Sequence, residues 1–419
     1  MIPILDEFLN TCRLLEKSGV VKILLVTREN DSERRYGVGR SLLPIQAELE
    51  RRGHKTRYLC QADLGSRSRK YLRLLHVWLA VPCRWLPGKT NYYGLVWAIV
   101  ERLSMGRLAA KVAAMERFTH VHCHDPIIAM GYRLFSFFRM GKGVCWGISQ
   151  HGFGCYAQAI HDDGIKVGTR IMRWLRNRER KILLAADWVI VPTRSSLIQM
   201  ARDLGVYPMP SGWDTVYHSR PQITLYEKQD ARSRLAWDAQ VVYVLGVGRL
   251  VPLKQFSLVI QACARLISDR QIRLVLAGEG ECDALLACAN ESGLEEGSVS
   301  FVVADDIGLY LSATDLYVSA SLSESFGIAN LEAMLAGTPS VCSAVGGVPE
   351  VVGNGAVLVQ PELAALTDAM QNLLDDVSFR ERVAEKGRAR GASWPDVAEI
   401  TSHYEQIYRS ALAKKNREI

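Results

Sequence analysis

Short runs of β-branched and leucine residues recur along this chain with helical stretches between them, and the series runs twice. Residues 21–27 (VKILLVT) are apolar apart from Lys22 and a closing Thr27, as a strand buried on both faces of a parallel sheet requires. A glycine-bearing turn, Tyr36-Gly37-Val38-Gly39, follows, then a helical pattern over 41–52 that Gly53-His54 ends before a second strand at 55–60. Runs at 118–123, 143–149 and 186–192 continue the series. Pro208, Pro210, Gly212 and Pro221 then punctuate a linker. The alternation restarts with strands predicted at 241–247, 272–277, 299–303, 315–319 and 338–342, a helix at 256–267, and one long closing helix at 394–413. Strands alternating with helices make parallel α/β sheets, and 419 residues, at roughly 100 to 200 per domain, accommodate two. Ligands of such sheets bind at the carboxyl ends of the strands.

The net charge of +7 conceals two halves of opposite sign: residues 1–200 carry 32 Lys and Arg against 16 Asp and Glu, and 201–419 carry 19 against 28. Different partners for the two domains follow from this. The basic excess concentrates in 51–100, with ten Lys or Arg against Asp63 alone, interleaved with Tyr71, Trp78, Trp85, Tyr92, Tyr93 and Trp97. Lys166, Arg170, Arg173, Arg176, Arg178, Arg180 and Lys181 form a second set on one predicted helix. Arginines among amphipathic aromatics suit an anionic membrane surface, at about 1 kcal/mol per cation; solvated helix faces around core aromatics are the plainer alternative. No nucleic-acid-binding motif accompanies the charge, so nucleic acid is not expected as a partner. The ten cysteines are scattered without a C-x-x-C, which fits a reducing compartment. Asp6 and Glu7 interrupt the first apolar stretch, and no run approaches the roughly 18 apolar residues of a spanning helix. The expectation is a cytoplasmic protein, with peripheral attachment to the cytoplasmic face of the inner membrane left open.

Glycine pairs close three turns, at Gly37 and Gly39, Gly246 and Gly248, and Gly278 and Gly280. A dinucleotide fingerprint needs a further small residue three places on, where Leu42, Val251 and Asp283 stand, so NAD is not expected. These glycines either let backbone approach a phosphate or sugar or are plain strand-to-helix turns. Arg249 and Lys254 lie between a strand and a helix start. A guanidinium, an ammonium and helix N–H groups there suit a diphosphate, through charge-assisted bonds of about 1.5–3 kcal/mol each. Glu324 falls in a loop and Glu332 on the helix that starts near Gly327, so they read as separate acceptors for hydroxyls of one ligand, not as the ~5 Å carboxylate pair of a retaining glycosidase. His120, His122 and His124 alternate on one strand face ahead of Asp125, a polar wall or acceptor contact at a strand end more than a metal site. The chain holds no D-x-D for a metal-chelated diphosphate, and no metal or resident cofactor is expected.

Glu324, seven intervening residues and Glu332, within SESFGIANLEAMLAGTP, resemble the E-x7-E motif of family-4, group 1 retaining glycosyltransferases of the GT-B fold. GVGRL with Lys254 is similar to the family's G-R-L-x-x-x-K stretch, and Pro210-Ser211-Gly212-Trp213-Asp214 to its interdomain P-N-G-x-D. Gly278-Glu279-Gly280, Val345–Glu350 and Trp394 fall in the family's order. The resemblance implies two Rossmann-like domains facing each other across a cleft: 1–208 for the acceptor, 209–393 for the nucleotide sugar, and 394–419 as a helix returning to the first domain. It implies a UDP- or GDP-linked sugar as co-substrate, with Glu332 on the ribose, Glu324 on the donor sugar, and Arg249 and Lys254 on the departing diphosphate. Gly248, Gly278 and the backbone of Phe326, Gly327, Ile328 and Ala329 would line the donor. His151, in Ser149-Gln150-His151-Gly152, is similar to the family histidine beside the reacting carbon, while Gly37, Gly39 and His124 would border acceptor and phosphates. The implied reaction is metal-independent hexosyl transfer to a glycan or lipid-linked acceptor, as in polysaccharide or lipopolysaccharide synthesis. A sugar-nucleotide epimerase of the same fold and a non-catalytic sugar-nucleotide-binding subunit are the alternatives. Gln255 for glycine, Ala320 for proline, Ser211 for asparagine and a short 303–311 connection depart from the family pattern.

Overall fold

The computed structural model describes residues 20–29, 37–83, 92–136, 143–162, 165, 167–267 and 271–417. Asp6, Glu7, Tyr36, Trp85 and Lys166, invoked above, lie outside them. The chain divides into two compact units, Met1–His218 with Asp396–Ile419, and Ser219–Pro395.

In the first unit, strands β1 (Lys22–Val26), β2 (Lys55–Leu59), β3 (His120–Cys123), β4 (Cys145–Ser149), β5 (Trp188–Val191) and β6 (Trp213–Thr215) form one parallel sheet, ordered β2-β1-β3-β4-β5-β6. The interior strands β1 and β5 read as apolar runs because both faces are covered. Leu24 and Val26 enter one core with Val121, Ile148 and Val189, while Ile23 and Leu25 enter a second with Ile190 and Tyr408. The second core lies beneath the helices Gly37–Arg51 and Val397–Arg417.

Three expectations about boundaries are corrected. The first unit does not end near 208: Trp213, Asp214 and Thr215 pair with Val189, Ile190 and Val191, so the stretch read as interdomain supplies an edge strand and the unit runs to His218. The closing helix starts at Val397, not 394, because Trp394 packs in the second unit, edge-on to Phe326 at 5.5 Å with the Arg390 guanidinium 5.1 Å from its ring. Gly37 and Gly39 lie in the first turn of the helix Gly37–Arg51, not in a turn ahead of it.

The second unit holds β7 (Val242–Val247), β8 (Ile272–Ala277), β9 (Val299–Val302), β10 (Leu316–Ser319), β11 (Ser340–Ser343) and β12 (Val357–Val359), all parallel, ordered β12-β11-β10-β7-β8-β9. Val244, Leu274, Leu276, Val318 and Val341 meet Phe256, Val259, Ile260 and Cys263 of the helix Phe256–Leu266 in its core, the helical contribution falling at the i, i+3, i+4, i+7 spacing of a buried stripe. The order reverses between β7 and β10, so the loops leaving those two strands flank the position where such sheets bind ligands.

Candidate active site

Those two loops carry Arg249, Lys254 and Glu324. After β7 the chain turns through Gly248 and the exposed Arg249 into a short turn, Pro252–Lys254. Gln255, where the family pattern has glycine, takes the left-handed conformation (φ 50°) that glycine adopts freely, at a cost of about 1 kcal/mol, and so still starts the helix Phe256–Leu266. Gly278, after β8, lies so close beneath this turn that a Cβ there would stand 1.9 Å from the Gly248 carbonyl oxygen. After β10, Leu322 N–H donates to the Leu253 carbonyl at 2.9 Å, and Gly347 N–H to the Glu324 carbonyl at 2.9 Å. The two loops are thereby fixed to each other and to the Val345–Glu350 turn.

Within this frame Lys254 Nζ donates to Glu324 Oε2 at 2.5 Å, both side chains about four-fifths covered. The sequence had assigned these residues to separate parts of a ligand; the fold joins them. Gly327, left-handed at φ 83°, opens the helix Ile328–Ala336 with no side chain capping it, so the first N–H groups of that helix, at Ile328 and Ala329, receive no side-chain cap. Glu332 lies one turn further on and is 3 % exposed. Phe326 is buried against Trp394, so its ring is part of the core and only its backbone faces the loop.

In the first unit, period two sends His120, His122 and His124 to one face. They do not make an open polar wall. His120 and His122 lie under the helix Val397–Arg417, where His120 Nε2–H donates to the Tyr408 carbonyl (3.0 Å) and His122 Nδ1 meets the Tyr408 hydroxyl (2.8 Å). His124 reaches the strand end, its Nδ1 3.0 Å from Nε2 of His151. His151 stacks in turn on His218, centroids 5.8 Å apart. Asp125 accepts from Arg102 at 2.8 Å and from the N–H of Ile127 at the next helix start. Gly39 is held elsewhere: its N–H donates to Glu29 Oε1 at 2.6 Å, so a carboxylate of the chain occupies the helix start that was expected to border a phosphate. Glu29 and His218 went unnoticed in the sequence, which gives no local signal for either beyond residue type. Among the described residues no three His, Cys, Asp or Glu side chains are grouped as a metal ion needs.

Burial, ahead of repulsion from neighbouring imidazoles, lowers the histidine pKa values from the ordinary 6.5: to about 4 for His120, about 3 for His122 and well down for His124 and His151. Burial alone takes His218 to about 4. A group that protonates more readily unfolded than folded contributes its full stability above 6.5 and loses it as the pH falls toward the folded value, up to about 1.4 kcal/mol per histidine per pH unit. Glu179, pushed up to about 7 by burial against bonds from Tyr156 and Ala157 N–H, acts in the opposite sense. Glu101, also raised by burial, acts as Glu179 does; with five histidines against these two glutamates, the thermal unfolding midpoint should drop as the pH is lowered from 6.5 to 4.5. Calorimetry in matched ionic strength checks this, and a flat profile would contradict neutral burial of the column.

The basic and aromatic residues of the first unit divide. On the helix Ser66–Cys83, Tyr71 (64 % exposed), Leu74 (52 %) and Trp78 (76 %) form an outward stripe at i, i+3, i+7 beside exposed Arg69, Lys70 and Arg73. Tyr93 and Trp97 instead pack against His76. Arg170, Arg173, Arg178, Arg180 and Lys181 are exposed on the helix Thr169–Ala185, with Trp174 under the Arg178 guanidinium. No helix among the described residues is long and apolar enough to cross a membrane.

Two family models match, Glycosyltransferase Family 4 over residues 36–215 and Glycosyl transferases group 1 over 227–390. The chain is 28 % identical to a D-inositol 3-phosphate glycosyltransferase of a Nocardioides species over 56 % of each chain, and 30 % identical to its counterpart in Mycobacterium tuberculosis over 57 % of this chain and 52 % of that one. It thus spans about half the length of these relatives. An uncharacterized glycosyltransferase of Methanocaldococcus jannaschii is 25 % identical over 77 % of this chain and 83 % of its own. Among solved structures, sucrose-phosphate synthase of Thermosynechococcus elongatus matches with a TM-score of 0.73 at 20 % identity, over 94 % of this chain and all of that one. HepE of Anabaena in complex with UDP-glucose matches at 0.66 and 18 % over 95 % of this chain and 100 % of its own. WaaG, a glycosyltransferase involved in lipopolysaccharide biosynthesis, matches at 0.63 and 16 % over 93 % of this chain and 99 % of its own. With both units matched and the two parallel sheets in place, the chain belongs to the family-4, group 1 glycosyltransferases of the GT-B fold.

Proposed function

We propose that the protein is a retaining, metal-independent glycosyltransferase that moves a hexose from a nucleotide-diphosphate sugar to a glycan or lipid-linked acceptor in cell-envelope polysaccharide or lipopolysaccharide synthesis. The observation that carries this reading is the Lys254–Glu324 pair beside the uncapped helix start at Gly327, where the strand order of the second sheet reverses. Three sources of positive potential act on one diphosphate there: Arg249, Lys254 and the N–H groups of Ile328 and Ala329. Arriving phosphate oxygens compete with Glu324 for Lys254 and so free the carboxylate for the sugar hydroxyls. Glu332, one turn along the helix, takes the ribose hydroxyls, and the role proposed for His151, from its likeness to the family histidine, is at the reacting carbon of the donor sugar.

In this mechanism the bond from the anomeric carbon to the phosphate oxygen breaks while a bond to the acceptor hydroxyl forms on the same face. The departing phosphate oxygen takes the hydroxyl proton. Catalysis then comes from positioning and from stabilising the leaving group. HepE holds UDP and UDP-glucose, which makes the uridine nucleotide the first donor to try. NMR of the product tests the stereochemistry: an α-linked UDP-sugar should give an α-linked product, and a β-linked product would reject retention.

The acceptor's lipid is reached from the cytoplasmic face of the inner membrane, and the stripe Tyr71, Leu74 and Trp78 with its basic neighbours supports contact there. Replacing all three by serine should weaken binding to phosphatidylglycerol vesicles at least tenfold while leaving the fold intact. Equal sedimentation of variant and parent with vesicles would remove this helix from the membrane contact.

A further inference from the structure

We propose that Tyr408, on the helix Val397–Arg417, is a positioning residue for His151, acting through His122 and His124. This rests on the role given above to His151. All four residues belong to the first unit, so the connection is internal to one compact body.

Contacts run without a gap from the terminal helix to the strand end. Tyr408 is held twice from below: its carbonyl accepts from His120 Nε2–H, and its hydroxyl lies 2.8 Å from His122 Nδ1. The other nitrogen of His122 lies 2.8 Å from Ser149 Oγ. Neutral imidazole has one donor and one acceptor nitrogen, whereas a hydroxyl can serve as either. The proton of His122 and the directions of the Tyr408 and Ser149 hydroxyls are therefore set together, and removing either hydroxyl shifts the tautomer balance of the ring. His122 stacks on His124 with centroids 4.4 Å apart and planes 26° from parallel, so the dipole of one ring acts directly on the other.

The last contact is the most restrictive. His124 Nδ1 and His151 Nε2 are 3.0 Å apart, and two neutral imidazoles in that geometry share one N–H. If His124 carries its proton on Nδ1, His151 must accept at Nε2 and carry its own on Nδ1; if His124 accepts, His151 carries its proton on Nε2. The tautomer of His151 is thus coupled to that of His124, and through the stack to His122 and Tyr408. A loop histidine bonded only to water would be free of this. The terminal helix, added after the second unit is complete, thereby fixes both the orientation and the proton of the ring proposed to stand beside the donor sugar.

The test is Tyr408→Phe, which keeps the ring and removes the hydroxyl, in protein carrying 15N-labelled histidine. The imidazole nitrogen shifts of His122 and His151 should both move, and turnover of UDP-glucose, followed as UDP release, should fall roughly tenfold with less than a twofold change in donor KM. In a His151→Ala background the same substitution should change kcat less than twofold. Unmoved His151 shifts, or an equal loss of kcat with and without His151, would overturn the proposal. If His151→Ala by itself leaves turnover unchanged, the role of His151 fails separately, and the nitrogen shifts still decide whether Tyr408 sets its tautomer. Ser149→Ala, acting at the opposite nitrogen of His122, gives the same readout should Tyr408→Phe not fold.

Discussion

Replacing Lys254 by alanine is expected to lower kcat by about 100- to 1,000-fold, the range for losing one preorganised group aimed at developing negative charge. The ammonium sits on the turn after β7 and is held toward the helix start at Gly327 by Glu324, so little rearrangement separates the pair from a phosphate complex. Arg249→Ala should act in the same direction. The fold should tolerate the Lys254 change, because a partly exposed ion pair contributes less than about 1 kcal/mol and the loops remain joined through Leu322, Leu253 and Gly347. Lys254→Arg separates charge from shape: it keeps the cation but spreads it over a plane, and partial recovery of kcat is the expected result. Steady-state turnover together with the melting temperature checks this, and full turnover in Lys254→Ala would remove the residue from the mechanism.

Glu332→Ala should raise the Kd for the nucleotide by about 10- to 100-fold, since two ribose hydroxyls donating to one carboxylate make charge-assisted bonds of roughly 1.5–3 kcal/mol each, part of which is offset by lost hydration. Glu332 is buried in the helix Ile328–Ala336, so alanine also leaves a void there. Glu332→Gln keeps the volume and one acceptor oxygen, and should fall between parent and alanine. Calorimetric titration with UDP ranks the three proteins, and an unaltered Kd in Glu332→Ala would contradict the ribose role.

What could be read in the sequence follows how local each signal is. Ten strands stand close to their expected positions, the interior ones such as β1, β5, β7 and β8 marked by apolar runs and the edge strands β2 and β9 by the turns and alternation around them. Two further edge strands, β6 and β12, were missed: each is three residues long, β6 emerges from a Pro-Ser-Gly turn with Asp214 at its centre, and the run of β12 is only residues 356–359, too short to separate from a loop. The helix start at Gly37 was hidden because two glycines in three residues look like a turn, and what secures Gly39 is the carboxylate of Glu29 on the loop after β1. In the second unit the loop and helix from Ser321 to Pro339 keep their glutamates within one segment, which is why that part of the site was legible. The bond between Lys254 and Glu324, 70 residues apart, was not. The histidines of β3 were visible as an alternating set, but their partner Tyr408 lies 286 residues beyond His122, and without it they suggested an open wall in place of a buried column.

The most direct test of donor binding in the second unit is a calorimetric titration of the parent protein with UDP, GDP and ADP in excess EDTA. Micromolar binding of one of these nucleotides, with UDP the first expected, and its loss in Glu332→Ala, is the result predicted for a metal-independent transferase. Binding of none of the three in EDTA would contradict it.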